Sequence, residues 1–227
     1  FQYLRTQVRD AIPIVAVAVD DPLQMGLAQS YARPGGNITG LSGAYHGIVS
    51  RRMQLLQDFV PAARRIGVVM NPDSVPRQVL ESGVVEPARA LGVEVLAFEV
   101  RGPEDIDAAF AAMQRERIDG VLVLADAVFY KHRMRIGELC TQHRLPSIWG
   151  QGGYLDAGGL ASFQGDFAAM FRRSAAFVDK ILKGAKPGEM PFEQSSKFEL
   201  VLNLKAARAL GLKVPPSVLV SADEVIE

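Results

Sequence analysis

Two hydrophobic patterns alternate along the chain. Runs of apolar, often β-branched residues predict strands, and their nearly continuous apolar character is typical of strands covered by helices on both faces. Stretches with apolar residues every three or four positions predict amphipathic helices, the longest over about 165–183 with Gly184 as its stop. The strands are predicted at IPIVAVAV (12–19), RIGVVM (65–70), VEVLAFEV (93–100), DGVLVLA (119–125) and PSIWG (146–150). This alternation predicts an α/β fold with a largely parallel sheet.

Three helices carry apolar stripes that predict packing against a core. The stripes consist of Val49, Met53, Leu56 and Val60 on one helix, of Ile106, Phe110 and Met113 on another, and of Phe167, Met170, Phe171, Ala175, Val178, Ile181 and Leu182 on the longest. After them, KFELVLNL (197–204) predicts another strand and KAARALGL a short helix ending at Gly211. The last 15 residues (213–227) are expected to run as an extended tail over the surface.

Composition and charge exclude several classes of protein. With 227 residues, 48% of them hydrophobic, the chain is long enough for one large domain or two smaller lobes. Its 25 basic and 25 acidic residues balance, so no general attraction to nucleic acid or to an anionic membrane is expected. No apolar run approaches the ~18 residues of a membrane span. The opening residues FQYLRTQVRD lack the layout of a signal peptide, and a preceding segment is expected to have been removed.

Residues for metal or covalent chemistry are sparse. The single cysteine, Cys140, lies in a predicted helix and has no second cysteine with which to form an internal disulfide or a metal-binding pair. His46, His132 and His143 fall on different predicted elements. The sequence carries no nucleophile elbow, phosphate loop or dinucleotide-binding fingerprint. We therefore expect no catalytic residues, no metal site and no cofactor.

Polar side chains follow four of the predicted strands. In an open parallel sheet, ligands bind outside the carboxyl ends of the strands, so these positions are candidates for a binding site. Asp, Asn and Ser are also the preferred N-caps of the helices that follow, which remains the alternative interpretation of each position. The residues after the strands include Asp20, Asp21, Pro22, Asn71, Asp73, Ser74, Asp126, Phe129, Gln151 and Tyr154.

The segment ARPGGNITGLSG (32–43) permits three interpretations. A phosphate-binding loop requires a helix N-terminus directly behind it, whereas this segment continues in extended form. The Asn-Ile-Thr triplet matches a glycosylation acceptor, which matters only in a eukaryotic secreted protein. The remaining interpretation is a turn at Pro34, Gly35 and Gly36, where glycine supplies a positive φ, followed by a crossing strand that carries Asn37 and Thr39.

The whole chain resembles the substrate-binding proteins of ABC transporters related to tryptophan and tyrosine uptake. The segments that carry the resemblance are IPIVAVAVDDP, ARPGGNITGLSG, LLQDFVPAARRIGVVMNPD, HRLPSIWG, GGLASFQ, KILKGAKPGEMPFEQSSKFELVLNLKAARALGL and the terminal DEVIE. The resemblance implies a two-lobed type I periplasmic-binding-protein fold with flavodoxin-like parallel sheets, whose N-terminal lobe is incomplete in this chain. The first lobe would comprise 1–41 and about 163–190, and the second about 42–162 and 191–227, with crossings near 37–43, 160–164 and 191–197.

The resemblance also implies a function and a set of ligand contacts. A small organic solute, with amino acids and aromatic carboxylates as the leading candidates, would be held between the lobes by hinged closure, and an ABC permease would be the membrane partner. The contacts would be Asp20, Asp21, Pro22, Asn37, Thr39, Asn71, Asp73, Ser74, Asp126, Phe129, Gln151, Tyr154, Ser162 and Gln164. No basic residue follows the strands directly, and Arg77 and Lys131 are the nearest cations. The protein would be periplasmic or lipid-anchored outside the cytoplasm, with no membrane insertion of this segment.

Two other functions use related folds. A ligand-sensing effector domain of a regulator or receptor would be attached to a DNA-binding or signalling domain outside this segment. An enzyme with a flavodoxin-like lobe would hold a cofactor that is visible by its absorbance.

Overall fold

The structure of the chain, a computed structural model, describes residues 12–19, 21–43, 45–75 and 77–227, without the side chains of residues 45 and 46. Two compact units are present. The small unit contains the described residues up to Tyr45 together with Gly165–Phe198, and the large unit contains His46–Gln164 together with Glu199–Glu227. Residues 191–197, which the sequence assigns to a crossing into the second lobe, therefore lie in the small unit.

Strands and helices alternate through most of the chain. Residues Glu81–Val85 form a π-helical turn, and 3-10 turns form at Gly152–Ala157 and Pro187–Glu189. The elements are β1 (Ile14–Val19), β2 (Ile38–Ser42), α1 (Tyr45–Phe59), β3 (Arg65–Met70), α2 (Arg77–Leu80), α3 (Glu86–Ala90), β4 (Glu94–Glu99), α4 (Pro103–Arg115), β5 (Gly120–Val123), α5 (Ala127–Lys131), α6 (Arg133–Gln142), β6 (Ser147–Trp149), β7 (Ala161–Gly165), α7 (Phe167–Leu182), β8 (Glu193–Gln194), β9 (Phe198–Asn203), α8 (Leu204–Leu210), α9 (Pro216–Val220) and β10 (Glu224–Ile226).

The large unit is built on a seven-stranded sheet in the order β10-β9-β7-β6-β5-β3-β4. Strands β4, β3, β5, β6 and β7 pair in parallel, and so do β9 and β10. Strand β9 runs antiparallel to β7, as two contacts show. The Asn203 N–H at the end of β9 donates to the Leu160 carbonyl just before β7, and the Gln164 side chain near the end of β7 donates to Glu199 at the start of β9. The carboxyl ends of β3, β5, β6 and β7 therefore share one edge with the beginning of β9, and we call it the carboxyl edge.

The small unit contains a parallel sheet in the order β1-β2-β8. Helix α7 packs against β1 and β2, where Met170 and Phe177 are buried together with Leu41 of β2. None of the helices in the described ranges is long and apolar enough to cross a membrane.

Most predicted elements are confirmed. The five predicted strands form, RIGVVM with the expected ends, and the strand and short helix near the C-terminus form as well. Glycines with positive φ follow the last turns of α7 and α8, at Gly184 (φ 99°) and Gly211 (φ 70°), as the sequence predicts. The fold class, α/β with parallel sheets, is confirmed.

The predicted stripe on α7 is partly wrong. Met170 and Phe177 are buried, but Phe171, Val178 and Leu182 are 62%, 44% and 82% exposed. The apolar residues of α7 cover a wider arc than one sheet can bury, so only the row facing β1 and β2 is covered.

The predicted extended surface tail is partly wrong, because residues 213–227 lie mostly at the surface but are not extended throughout. Residues 216–220 form α9 with Pro216 in its first turn, where a missing N–H costs nothing. Beyond α9, Asp223 anchors the chain to Leu200 of β9 through two bonds of 2.8 Å, one from its own N–H and one to its carboxylate. Strand β10 then extends the sheet at its edge.

Candidate ligand-binding site

The end of β1 in the small unit carries a structural carboxylate. Oδ1 of Asp21 accepts from the N–H groups of Leu23 and Gln24, at 2.9 and 3.2 Å. The carboxylate thus stabilises the turn that follows β1, and no helix begins at this point of the described chain. Pro22 is buried, and the neighbouring Asp20 lies outside the described residues.

Strand β2 ties neighbouring segments of the small unit together through two predicted contact residues. Nδ2 of Asn37 donates to the Ile12 carbonyl at 2.7 Å. The hydroxyl of Thr39 is fully buried and donates to the Met190 carbonyl at 2.8 Å. Both side chains satisfy backbone carbonyls of the small unit, which is a structural use of the two polar groups.

The glycines of ARPGGNITGLSG have distinct backbone roles. Gly35 has the predicted positive φ (82°), and its N–H donates to the Gly188 carbonyl at 3.0 Å. Gly40 has a φ of 148°, and a Cβ at this position would lie 1.8 Å from the Ala16 carbonyl oxygen. The close approach of β2 to β1 thus requires glycine at position 40.

In the large unit, the ends of β3 and β5 are joined by a side-chain hydrogen bond. The hydroxyl of Ser74 donates to Oδ2 of Asp126 at 2.6 Å. The other carboxylate oxygen of Asp126 accepts from the Val128 N–H at 2.7 Å and caps α5. After β3, Oδ1 of the buried Asn71 accepts from the Asp73 N–H at 3.0 Å, which stabilises the turn. The polar groups after these two strands are therefore brought together, and they brace one another.

An aromatic group lies next to this bridge. The ring of Tyr130, 49% exposed, meets Tyr154 edge-on with centroids 5.5 Å apart, and the Arg133 guanidinium lies 4.7 Å from its centroid. Tyr154 itself is buried, and its hydroxyl donates to the Asp126 carbonyl at 3.0 Å. Burial raises the pKa of Tyr154 to about 12, so its hydroxyl is a neutral donor at physiological pH.

The predicted aromatic contact Phe129 is not brought to the carboxyl edge. Its side chain is fully buried within the hydrophobic core of the large unit. Tyr130, the next residue, is the exposed aromatic group instead. Neighbouring residues of a helix point in different directions, so Phe129 and Tyr130 lie on different faces of α5. The sequence does not show which of these faces packs against the core.

The ends of β6 and β7 carry a chain of amide contacts. The Gly152 N–H donates to Oε1 of Gln164 at 2.7 Å, and Nε2 of Gln164 donates to Glu199 at 3.2 Å. Ser162 is fully buried beside them, and its hydroxyl has no hydrogen-bond partner among the described residues. Gln151 is half-buried at the start of the 3-10 turn. Of this group, sequence reasoning missed Glu199, which lies 35 positions beyond Gln164.

A buried cation also reaches the carboxyl edge. From α1, Nε of Arg52 donates to the Phe163 carbonyl at 2.7 Å, and Nη2 donates to the Gly150 carbonyl at 3.2 Å. The residue is only 7% exposed. The expectation that Arg77 and Lys131 are the nearest cations is wrong, because both are exposed and Arg52 arrives from a helix more than 90 positions earlier in the chain.

Groups for metal or thiol chemistry are not assembled in the described ranges. No set of three or more His, Cys, Asp or Glu residues there could hold a metal ion. The thiol of Cys140 is buried, and burial raises its pKa to about 12. A thiol in that state is a poor nucleophile at neutral pH.

Comparisons with known proteins place this architecture among solute-binding proteins. A solved structure of a conserved domain protein from Vibrio cholerae is 27% identical, with a TM-score of 0.89 over 97% of this chain and 73% of that one. A Streptococcus pneumonia ABC domain in complex with L-Trp is 26% identical, with a TM-score of 0.87 over 97% of this chain and 76% of that one. The fold is shared more widely, for example with a LacI family transcriptional regulator from Arthrobacter (TM-score 0.60, 21% identity, 74% of this chain and 65% of that one).

A curated relative and a family model identify the family. The relative is the tyrosine-binding protein of Clostridioides difficile, 23% identical over 89% of this chain. The chain spans 58% of the length of that relative. The model of the ABC transporter substrate binding protein family matches residues 2–226. The chain therefore belongs to the ABC transporter substrate binding protein family.

Proposed function

We propose that the protein is the solute-binding component of an ABC importer and that its solute is an aromatic amino acid. The observation that carries this proposal is the family match over residues 2–226, together with a polar carboxyl edge that presents an exposed aromatic ring. The tyrosine-binding and L-Trp-bound relatives supply the ligand class. Capture by hinged closure and delivery to a membrane permease, both expected from the family resemblance, belong to the same proposal.

Tyr130 is the residue on which we base the aromatic preference. Its ring is held by Tyr154 on one side and by Arg133 on another, so it is positioned before any solute arrives. Half of its surface remains exposed. A fixed, partly exposed aromatic surface binds a planar solute with little loss of side-chain entropy.

We assign the other contacts according to how the side chains are used. We assign the solute contacts to Gln151 and Glu199, which are half-buried residues of the carboxyl edge, whereas the polar groups of Asp21, Asn37, Thr39, Asp126 and Tyr154 bond the backbone of the protein. The second group supports the site by holding its backbone in place. Asn71, Asp73, Ser74, Ser162 and Gln164 complete the proposed edge in the large unit, and Asp20 and Pro22 complete the proposed small-unit contacts.

We propose that the protein acts without catalysis and outside the cytoplasm, either periplasmic or lipid-anchored. Its relatives are named for binding, and the buried thiol of Cys140 is not activated. A binding component needs a specific fit and a conformational response to the solute, and it needs no activated nucleophile.

The test is ligand binding by the full-length protein and by a Tyr130→Ala variant. The twenty amino acids and a set of aromatic acids are screened by thermal shift, and the hits are measured by titration calorimetry. We expect binding of L-tyrosine or L-tryptophan, weakened by about tenfold or more in the variant because an aromatic contact and its buried area are lost.

Met134→Ala is the matched control for this variant. Met134 is 59% exposed on the neighbouring helix α6, so its truncation removes an exposed apolar side chain and leaves the Tyr130 ring in place. A wild-type protein that binds none of the compounds would contradict the ligand class. Equal affinities in the Tyr130→Ala and Met134→Ala variants would contradict the assignment of Tyr130.

A further inference from the structure

Glu199 holds a half-buried carboxylate at the carboxyl edge, where β9 begins. One of its oxygens accepts from Nε2 of Gln164 at 3.2 Å. It forms no ion pair with any side chain in the part of the chain that the structure describes. Partial burial of a carboxylate without a neighbouring cation costs free energy. A positive charge from outside the protein would lower that cost, so a carboxylate of this kind is typical of a site that binds a cation.

The neighbouring amide is held in the orientation in which it donates to this carboxylate. Oε1 of Gln164 accepts from the Gly152 N–H at 2.7 Å, so its NH₂ group must point towards Glu199. A neutral amide donor positions the carboxylate without neutralising it. The second oxygen of Glu199 accepts no hydrogen bond from the residues that the structure describes.

A second polar group beside Gln164 also lacks a partner. Ser162 is fully buried, and its hydroxyl finds no hydrogen-bond partner among the described residues. A Cβ on Gly152 would lie 3.4 Å from both the Ser162 hydroxyl and Nε2 of Gln164, which places the two groups side by side. A buried hydroxyl without a partner is uncommon in a protein interior and indicates a position that a ligand or water completes.

The backbone next to these groups is open although its geometry does not require glycine. Neither Gly152 nor Gly153 has a positive φ, and a Cβ at either position would meet its neighbours at ordinary contact distances of 3.4 Å or more. The Cβ of Gly153 would contact only Tyr130, at 3.6 Å. The glycine pair therefore leaves open backbone between the Glu199 carboxylate and the Tyr130 ring.

We infer that Glu199, held by Gln164 and flanked by the open Gly152–Gly153 backbone, receives the ammonium group of the solute. This inference rests on the proposed function and names the chemical class of the solute as a primary amine that carries an aromatic ring. An ammonium supplies the missing positive charge and three N–H donors, whereas a carboxylate or phosphate would be repelled by Glu199. The aromatic part then lies over the glycines towards Tyr130.

The experiment compares amines with their deaminated analogues on the full-length protein. The probes are L-tyrosine and L-tryptophan, with 3-(4-hydroxyphenyl)propionate and 3-(indol-3-yl)propionate as the matched compounds without the ammonium group. Wild-type protein is expected to bind an amine at least tenfold more tightly than its analogue. Glu199→Gln keeps the size of the side chain and its bond to Gln164, so it is expected to weaken amine binding at least tenfold and not to weaken binding of the analogue.

Glu224→Gln is the matched control, since Glu224 is an exposed glutamate at the start of β10, and it is expected to bind like wild type. Equal affinity of wild type for amines and their analogues, or amine binding by Glu199→Gln equal to that of wild type, would overturn the assignment of Glu199 and leave the proposed function standing. Wild-type protein that binds none of the four compounds would overturn the proposed ligand class and this inference together.

Discussion

Replacing Thr39 by valine separates a structural role of strand β2 from a role in binding. The substitution keeps the shape of the side chain and removes its hydroxyl. In the small unit that hydroxyl is fully buried and donates to the Met190 carbonyl at 2.8 Å, with the Pro191 carbonyl at 3.5 Å. Valine would leave the Met190 carbonyl without this donor in a buried environment.

The magnitude follows from the cost of an unsatisfied buried acceptor. Such a group costs about 1–3 kcal/mol, more than the ~1 kcal/mol net value of an ordinary hydrogen bond. For a chain of this size, 1 kcal/mol corresponds to about 2–4 °C in the unfolding midpoint. We therefore expect Thr39→Val to lower the free energy of unfolding by about 1–3 kcal/mol and to leave the affinity for L-tyrosine and L-tryptophan unchanged.

Thermal and urea unfolding of the variant, each with and without these amino acids, provide the assay, and titration calorimetry gives the affinity. Thr141→Val is the control, because Thr141 is exposed and its hydroxyl donates to the Gly137 carbonyl one turn earlier in helix α6. Its loss should change stability by less than about 0.5 kcal/mol. A Thr39→Val variant with wild-type stability and reduced affinity would refute the structural role.

Two further perturbations test the packing of each unit. Gly40→Ala should destabilise the protein by about 3 kcal/mol or more in urea unfolding, because its Cβ would lie 1.8 Å from the Ala16 carbonyl oxygen. Gly36→Ala is the control and should be neutral, because a Cβ at position 36 would have nothing within 4 Å. Equal stabilities of the two variants would contradict the close approach of β1 and β2. Burial raises the pKa of Tyr154 from 10.0 to about 12, so its contribution to stability is present below pH 10 and is lost as the pH rises towards 12. Stability measured at pH 7 and pH 11 should fall less in Tyr154→Phe than in wild type, and an equal fall in both would show that Tyr154 is not buried.

The sequence predicted the strands and their polar ends because both depend on local rules. A buried parallel strand is an apolar run, and the chain must leave it through a turn that Asp, Asn and Ser stabilise. The same residues serve as caps and as ligand contacts, so the sequence could not assign the role of a single side chain. Asp126 illustrates the point, since it caps α5 and also accepts from Ser74, 52 positions away.

The groups that the sequence missed depend on long-range geometry. Arg52 lies 98 and 111 positions before the carbonyls of Gly150 and Phe163 that it binds, and no local pattern indicates such a contact. The exposed tail was mispredicted for a related reason, because β10 forms only where the edge of β9 is already in place. Polar residues in helices and late strands therefore need the folded sheet before their roles can be assigned.

The central claim is that this family member binds a small aromatic solute and releases it unchanged. Titration calorimetry of the full-length protein with L-tyrosine and L-tryptophan, followed by recovery and mass analysis of the bound compound, tests it most directly. We predict saturable binding of one molecule per chain and recovery of the intact amino acid. Absence of binding to both compounds, or recovery of a chemically altered product, would contradict it.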